Sequence, residues 1–249
     1  MSGPYDASLK HLLDQFTPDW VGWLGPRFGL PADAAADPLD VDLSAIKATA
    51  DRVYRLRPPN EGLLHLEPQS SWDGDLPDRL HLYHTLLHNR YGGPVYTVTV
   101  LLRREANSPQ LTGVLSRRYP DGREYLRYEY GVIRVWTLPA EPLLAGGIGV
   151  APLALLTDEA EGRLRELVDR LGGRCDAEGL PPGVRDGLLT AGYLLLGMRY
   201  DEDVIQNAFI GVRGMKESVT YQAILREGRQ EARLEERRQS ILAILSERF

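Results

Sequence analysis

The sequence lacks the features of a membrane protein, a secreted protein or a disulfide-stabilised domain. Cys175 is the only cysteine among 249 residues, which excludes an intrachain disulfide and a metal site built from clustered cysteines. No stretch reaches the roughly 20 apolar residues that a bilayer-spanning helix needs, and LLTAGYLLLGM at 188–198 is too short. The opening MSGPYDASLK lacks the basic and apolar regions of a secretory signal. We therefore expect a soluble protein that does not enter a membrane and is located in the cytoplasm.

A surplus of basic charge is also missing. The formal net charge is -6 at pH 7, whereas a general nucleic-acid-binding domain normally carries excess positive charge. An acidic protein can still bind phosphate through a local basic groove or a metal ion. The content of 43% hydrophobic and 26% charged residues is ordinary for a globular protein, and the length suffices for one substantial core with a helical appendage.

The most informative stretch is residues 51–69, which has the pattern of two β-strands joined by a turn. The turn residues are Pro58-Pro59-Asn60-Glu61-Gly62. In the second strand, Leu64 and Leu66 share one face because side chains alternate with a period of two. The opposite face then carries three polar residues: His65, Glu67 and Gln69.

The ends of this hairpin suggest a metal site. Antiparallel pairing would bring Asp51, at the start of the first strand, towards Glu67 near the end of the second. Two carboxylates at close range repel each other, and a shared proton or a divalent cation relieves that repulsion. A magnesium site is one interpretation. The alternative is that both are ordinary polar residues at strand ends, on a face exposed to water.

The rest of the chain alternates between helical and strand patterns. Helices are predicted at Asp6–Phe16, Asp78–Arg90, from Thr157 to near Gly172-Gly173, at Pro181–Leu196 and at Asp201–Phe209. Strands are predicted at Val95–Leu102 and over Arg123–Leu138, with a break near Gly131. This order predicts an α/β fold of the mixed α+β kind, with an α/β core at 1–150 and a helical subdomain at 151–212. Residues 213–249 are predicted to form a long charged helix, which in one interpretation pairs with a second copy of the chain.

Three further groups of residues have two interpretations each. Lys10 either pairs with Asp6 on a helix surface or faces the cleft and supplies positive charge to a phosphate. His81, His84 and His88 include a pair four residues apart, which is a zinc-ligand spacing, but surface histidines fit the sequence better because no third ligand is in register. The aromatic residues of 123–138 are either core and edge strand, which we favour, or a platform for nucleic acid.

Several segments in order resemble one protein family. Asp51 followed by Glu67-Pro68-Gln69 is similar to the Asp…Glu-x-Lys core of the PD-(D/E)XK nuclease superfamily, in the Glu-x-Gln form of the recombination-promoting nuclease and transposase-like (Rpn, YhgA-like) family. Four other segments resemble that family: PYDASLKHLL, LPDRLHLYHTLLHNRYGGPVYTVTVLL, LLAGGIGVAPLALL and ESVTYQAILREGRQEARLEERR.

The resemblance implies a restriction-endonuclease-like core, in which a central β-sheet is flanked by helices, and a Mg²⁺- or Mn²⁺-dependent DNA endonuclease connected with recombination or mobile elements. Asp51, Glu67 and the backbone carbonyl of Pro68 would hold the metal. The neutral amide of Gln69 can orient water but adds no positive charge, so Lys10 or Arg79 would have to supply it. The resemblance also makes Arg79 and Tyr83, four residues apart on one helix face, candidates for contact with phosphate.

The sequence leaves open two alternatives from other functional classes. One is a nuclease fold that binds nucleic acid without cleaving it, which is favoured by the neutral Gln69, by Pro68 and by the negative net charge. The charged tail from Glu217 onwards favours an oligomeric scaffold.

Overall fold

The computed structural model describes residues 9, 12–31, 33–39 and 52–210. The helices are α1 (Thr17–Leu24), α2 (Leu76–Tyr91), α3 (Ala140–Ala145), α4 (Leu164–Ala177), α5 (Pro182–Leu196) and α6 (Glu202–Ala208). The strands are β1 (Ala36–Leu39), β2 (Arg52–Leu56), β3 (Leu63–Gln69), β4 (Val95–Leu101), β5 (Val114–Arg118), β6 (Glu124–Glu129) and β7 (Gly131–Arg134). Short 3-10 turns connect several of them, among them Arg104–Ala106 and Ala151–Leu156.

The strands form one mixed sheet of five and a separate hairpin. The order in the large sheet is β1-β2-β3-β4-β7, and β5 pairs with β6. The β1–β2 and β2–β3 pairs are antiparallel, whereas β3–β4 and β4–β7 are parallel. Helix α2 makes the crossover from β3 to β4, as a parallel connection requires. The predicted mixed α/β architecture, with a sheet flanked by helices, is confirmed.

Of the hairpin predicted over residues 51–69, the described part from residue 52 is present as β2 and β3. Arg52 lies opposite Leu66, so the start of β2 is next to the polar end of β3. Gly62 closes the turn with a φ of 108°, and a side chain there would collide with the carbonyl of Pro94. Only glycine satisfies both conditions. The N–H of Leu63 donates to that same carbonyl over 2.9 Å, which ties the turn to the start of β4.

Helix α2 covers one face of this sheet. Pro77 occupies its first turn, where the missing N–H costs nothing, and Gly92 with a φ of 68° ends it. Its buried side chains follow a helical spacing: Leu76, Leu80, Tyr83 and Leu87. Leu76 and Leu80 join an apolar cluster with Tyr128 and Trp136, while Tyr83 and Leu87 join a second one with Val53 and Leu63.

The opposite face of the sheet packs on the helical part of the chain. Leu64 and Val98 belong to one large apolar cluster that also contains Leu155, Leu195 and Phe209. The alternation of β3 therefore places Leu64 and Leu66 in this cluster, and its polar side chains face α2 together with Leu63.

Two predicted elements differ from the observed ones. The predicted strand region 123–138 splits between two sheets, because β6 pairs with β5 and β7 adds to the edge of the large sheet. The helix expected to end at Gly172-Gly173 starts at Leu164 and continues to Ala177. Its buried apolar side chains extend past the glycines to Cys175, and this burial outweighs the roughly 1 kcal/mol that each glycine costs in a helix.

Candidate active site at the end of strand β3

Glu67 is a buried carboxylate on the face of β3 that α2 covers. Its side chain is only 5% exposed, and Thr99 lies opposite it on β4. The hydroxyl of Thr99 donates to the backbone carbonyl of Glu67 over 2.9 Å. Thr99 is fully buried. The interpretation of Glu67 as a strand-end residue on a solvated face is therefore wrong.

One oxygen of the Glu67 carboxylate is held by a guanidinium. Nη2 of Arg79 donates to Glu67 Oε1 over 2.9 Å, and Nε2 of Gln69 approaches the same oxygen at 3.5 Å. Nη1 of Arg79 donates to Asp73. Arg79 thus bridges two carboxylates, one on β3 and one in the loop that follows it. An alternative that the sequence leaves open is a pair between Arg79 and Asp75 or Asp78, but the second carboxylate that Arg79 binds is Asp73.

The other oxygen of Glu67 faces His65. Glu67 Oε2 lies 3.5 Å from His65 Nε2, a contact at ion-pair distance without the geometry of a hydrogen bond. His65 is fully buried, and neither ring nitrogen has a hydrogen-bond partner among the described residues. Its ring meets that of Tyr83 edge-on, with 5.6 Å between centroids. The sequence pattern put His65 on this face but assigned it no role.

Opposing effects set the protonation of Glu67. Burial alone raises the pKa of this carboxyl, but the contacts with His65 and Arg79 outweigh it, and the pKa lies below its ordinary 4.5. For Arg79, burial lowers the pKa, and the two carboxylates more than compensate. The pair is therefore ionised at neutral pH.

Pro68 lies on an interior strand, where its missing N–H would normally break a ladder. Among the described residues, the β2–β3 register runs from Arg55 opposite Leu63 to Arg52 opposite Leu66, and Pro68 is in register with Val100 of β4.

The structure gathers most of the predicted site residues but not all. Glu67, Pro68, Gln69, Arg79 and Tyr83 lie together at the end of β3 and on α2. Tyr83 is 6% exposed and packs against the sheet. Asp51 and Lys10 lie outside the described residues, as do the charged tail 213–249 and the start of the helix predicted at Asp6–Phe16.

Among the residues that the structure describes, no three His, Cys, Asp or Glu side chains are grouped so that they could hold a metal ion. His81 and His84 pack against the ring of Tyr128, with centroids 5.2 and 5.0 Å away, and His88 Nδ1 lies 2.8 Å from the carbonyl of Gly93. Glu67 Oε2 does fit a metal ligand, since it is buried and lacks a hydrogen-bond partner in the described part of the chain. The remaining ligands would have to come from Asp51 and the Pro68 carbonyl.

Comparison with protein-family models, with curated proteins and with solved structures found no match to this chain. In the described ranges, none of the helices has the length and apolar character needed to cross a bilayer.

Proposed function

We propose that this chain is a metal-dependent DNA endonuclease that acts in recombination or on mobile elements. The observation that carries the proposal is the buried Glu67, which keeps one carboxylate oxygen without a hydrogen-bond partner among the described residues while Arg79 and Gln69 approach the other. The end of β3 brings together a carboxylate, an amide and the guanidinium of Arg79 from α2. These groups suit the binding of a phosphodiester beside a cation. The Asp…Glu-x-Gln resemblance supports the same reaction.

Each side chain would have a separate task. Glu67 Oε2 is the ligand oxygen that the fold buries, and Asp51 and the carbonyl of Pro68 would complete the set, all of them oxygens of the kind that Mg²⁺ prefers. When bound, Mg²⁺ or Mn²⁺ would neutralise charge on the phosphate and lower the pKa of a water molecule. Gln69 would orient the attacking water through its amide.

Arg79 would supply positive charge to the phosphate, because its guanidinium is 30% exposed and already lies within hydrogen-bond distance of Glu67. Lys10 is the second proposed source. Tyr83 would act indirectly by packing against His65, which in turn contacts Oε2 of Glu67. Tyr83 and His65 are therefore positioning residues in this proposal.

A second candidate function is nucleic-acid binding without cleavage. The specific observation in its favour is that Arg79 already pairs with both Glu67 and Asp73, so each of these carboxylates has a cationic side chain as its partner. An ion pair of this kind suits a protein that keeps the nuclease fold but no longer cleaves DNA.

The test is a nicking assay with supercoiled plasmid, in Mg²⁺, Mn²⁺ or chelator. Wild-type protein should produce metal-dependent nicked and linear DNA, and Glu67→Gln and Asp51→Ala should each abolish it. Glu61→Gln is the matched control, because Glu61 is an exposed carboxylate in the turn before β3, and it should cleave like wild type. Circular dichroism should show that all variants are folded.

Cleavage that persists in folded Glu67→Gln and Asp51→Ala would rule out this site. Absence of cleavage by folded wild-type protein that still binds DNA would support the second candidate instead.

A further inference from the structure

Trp72 is an aromatic side chain that the fold leaves in water beside the candidate site. At 64% exposure, it is the most exposed large hydrophobic residue among those that the structure describes. It lies in the loop between Gln69, at the end of β3, and Asp73, which accepts a hydrogen bond from Arg79. An indole in water forgoes the favourable free energy of burial, and its exposure leaves the ring accessible to a ligand beside this cluster.

The loop that carries Trp72 is anchored on both sides. The carbonyl of Ser70 accepts a hydrogen bond from Nε of Arg103. Asp73 binds Arg79 and also accepts the backbone N–H of Asp75 over 2.9 Å. Two guanidiniums therefore fix the segment around Trp72, and one of them is the guanidinium that binds Glu67.

Gly74 lies next to the indole ring of Trp72. A Cβ atom at this position would lie 3.0 Å from Cζ2 and 3.1 Å from Cη2 of Trp72, closer than side chains normally approach. Gly74 has no left-handed backbone conformation that would explain a glycine. The far end of the indole therefore lies beside Gly74, and a side chain at this position would push the ring aside.

The same edge of the sheet is rich in cationic groups. Arg103, Arg104 and Arg199 line a cavity of about 90 Å³, and Glu105 is the carboxylate in its lining. This is well above the roughly 10–15 Å³ that one water molecule needs. Asp158 binds both Arg104 and Arg199, at 2.6 and 2.9 Å, and so holds these two guanidiniums together.

We propose that Trp72 stacks on an unpaired nucleobase, with the neighbouring phosphates of the same strand lying along Arg79 and the Arg103 cavity. Aromatic side chains bind bases through their π-faces without regard to sequence, and guanidiniums bind the phosphates between them. In a duplex the base faces are covered by stacking, so a fixed indole reaches a base only in single-stranded or unpaired DNA. The inference rests on the proposed function and narrows its substrate to unpaired DNA.

The experiment is a tryptophan-fluorescence titration of the full chain with a 12-nucleotide oligothymidine and with a blunt-ended, fully paired two-strand duplex of the same length, both in chelator so that no cleavage occurs. Trp20 and Trp136 are buried, and Trp23 packs edge-on against Trp20 at 5.7 Å, so Trp72 should dominate the quenching. We expect strong quenching by oligothymidine and weak quenching by the duplex.

The affinity for the labelled oligothymidine, read by fluorescence anisotropy, should fall about 5- to 150-fold in Trp72→Ala. Trp72→Phe should retain part of the affinity, and Gly74→Ala should weaken binding by displacing the ring. Arg104→Gln should reduce the slope of log affinity against log salt by about 0.7. Trp23→Phe is the matched control and should bind like wild type.

The proposal is overturned if wild type binds neither oligonucleotide, if it binds the duplex as tightly as oligothymidine, or if folded Trp72→Ala retains wild-type affinity. Stacking without any metal-dependent nicking would contradict the endonuclease proposal alone. Nicking by a protein whose Trp72→Ala variant binds normally would contradict the stacking alone.

Discussion

At the scale of single residues, one guanidinium sets the charge balance of the site. Arg79 binds Glu67 and Asp73, and it is the principal cation available to a carboxylate that is 5% exposed. A carboxylate buried this deeply without a partner would be protonated or would destabilise the fold. Arg79 therefore has a structural role that is independent of any catalytic one.

We predict that Arg79→Met destabilises the protein more than Glu67→Gln does. Removing the guanidinium leaves Glu67 buried with His65 as its remaining partner at ion-pair distance, and we expect a loss of roughly 2–3 kcal/mol, below the ~3–5 kcal/mol of a fully buried pair because Arg79 is 30% exposed. Glu67→Gln leaves no buried charge and should cost about 1 kcal/mol. Urea denaturation at pH 7 measures both, and equal losses would contradict the assigned role of Arg79.

The same pair predicts a pH dependence. Because Arg79 helps to hold the pKa of Glu67 below its ordinary 4.5, the ion pair stabilises the folded state above that pH, and this stabilisation is lost as the pH falls through the lower pKa of the folded state. The difference in unfolding free energy between wild type and Arg79→Met should shrink below about pH 4.5. A difference that is constant from pH 7 to pH 3 would show that the pair does not have this effect.

At the scale of elements, helix α2 explains how a polar strip can be buried in a sheet. His65 and Glu67 on β3 lie opposite Thr97 and Thr99 on β4, and all four are buried. The apolar side chains of α2 belong to two clusters, one that contains Leu80 and one that contains Leu87. The helix thus excludes water from the polar strip, and Arg79 reaches it from the first turns of the helix.

We predict that the packing of α2 depends on Leu80 and not on Leu82. Leu80 is fully buried and Leu82 is 37% exposed, although both are leucines on the same helix. Leu80→Ala should lower the free energy of unfolding by about 2–5 kcal/mol through lost burial and the cavity left behind. Leu82→Ala should change it by less than about 0.5 kcal/mol. Similar losses in both variants, measured by urea denaturation, would show that the helix packs differently.

At the scale of the whole molecule, one apolar cluster joins the sheet to the helices that follow it. The cluster includes Leu12 near the beginning of the described chain, Leu64 and Val98 of the sheet, and Leu155 and Phe209 of the helical part. The sequence suggested a helical subdomain at 151–212 packed on a core. The continuous cluster indicates that the two parts are stabilised by the same buried surface.

We therefore predict that the described parts unfold in one transition. Leu155→Ala removes a fully buried side chain of the helical part, and it should lower the melting temperature by about 2–4 °C per kcal/mol lost. Circular dichroism and the fluorescence of Trp20, a buried residue of α1, should report the same shifted midpoint. Separate midpoints for the two signals would show that residues 151–210 unfold independently.

Local sequence pattern determined much of this protein. The alternation of residues 63–69 assigned Leu64 and Leu66 to one face and His65, Glu67 and Gln69 to the other, because strand side chains alternate whatever their surroundings. Pro77 marked the first turn of α2, and the Pro58–Gly62 turn marked the β2–β3 hairpin, because proline and glycine restrict the backbone locally. These features needed no knowledge of the tertiary contacts.

Only the tertiary structure decided the environment of those residues. The burial of Glu67 depends on α2 lying across β3 and β4, and its pairing with Arg79 joins residues twelve positions apart on different elements. Pairing with β5 and with β4 assigned β6 and β7 to different sheets, and burial extended α4 past Gly172 to Ala177. A periodic pattern specifies which side of an element is apolar, but the free energy that fixes its neighbours comes from contacts between segments distant in the sequence.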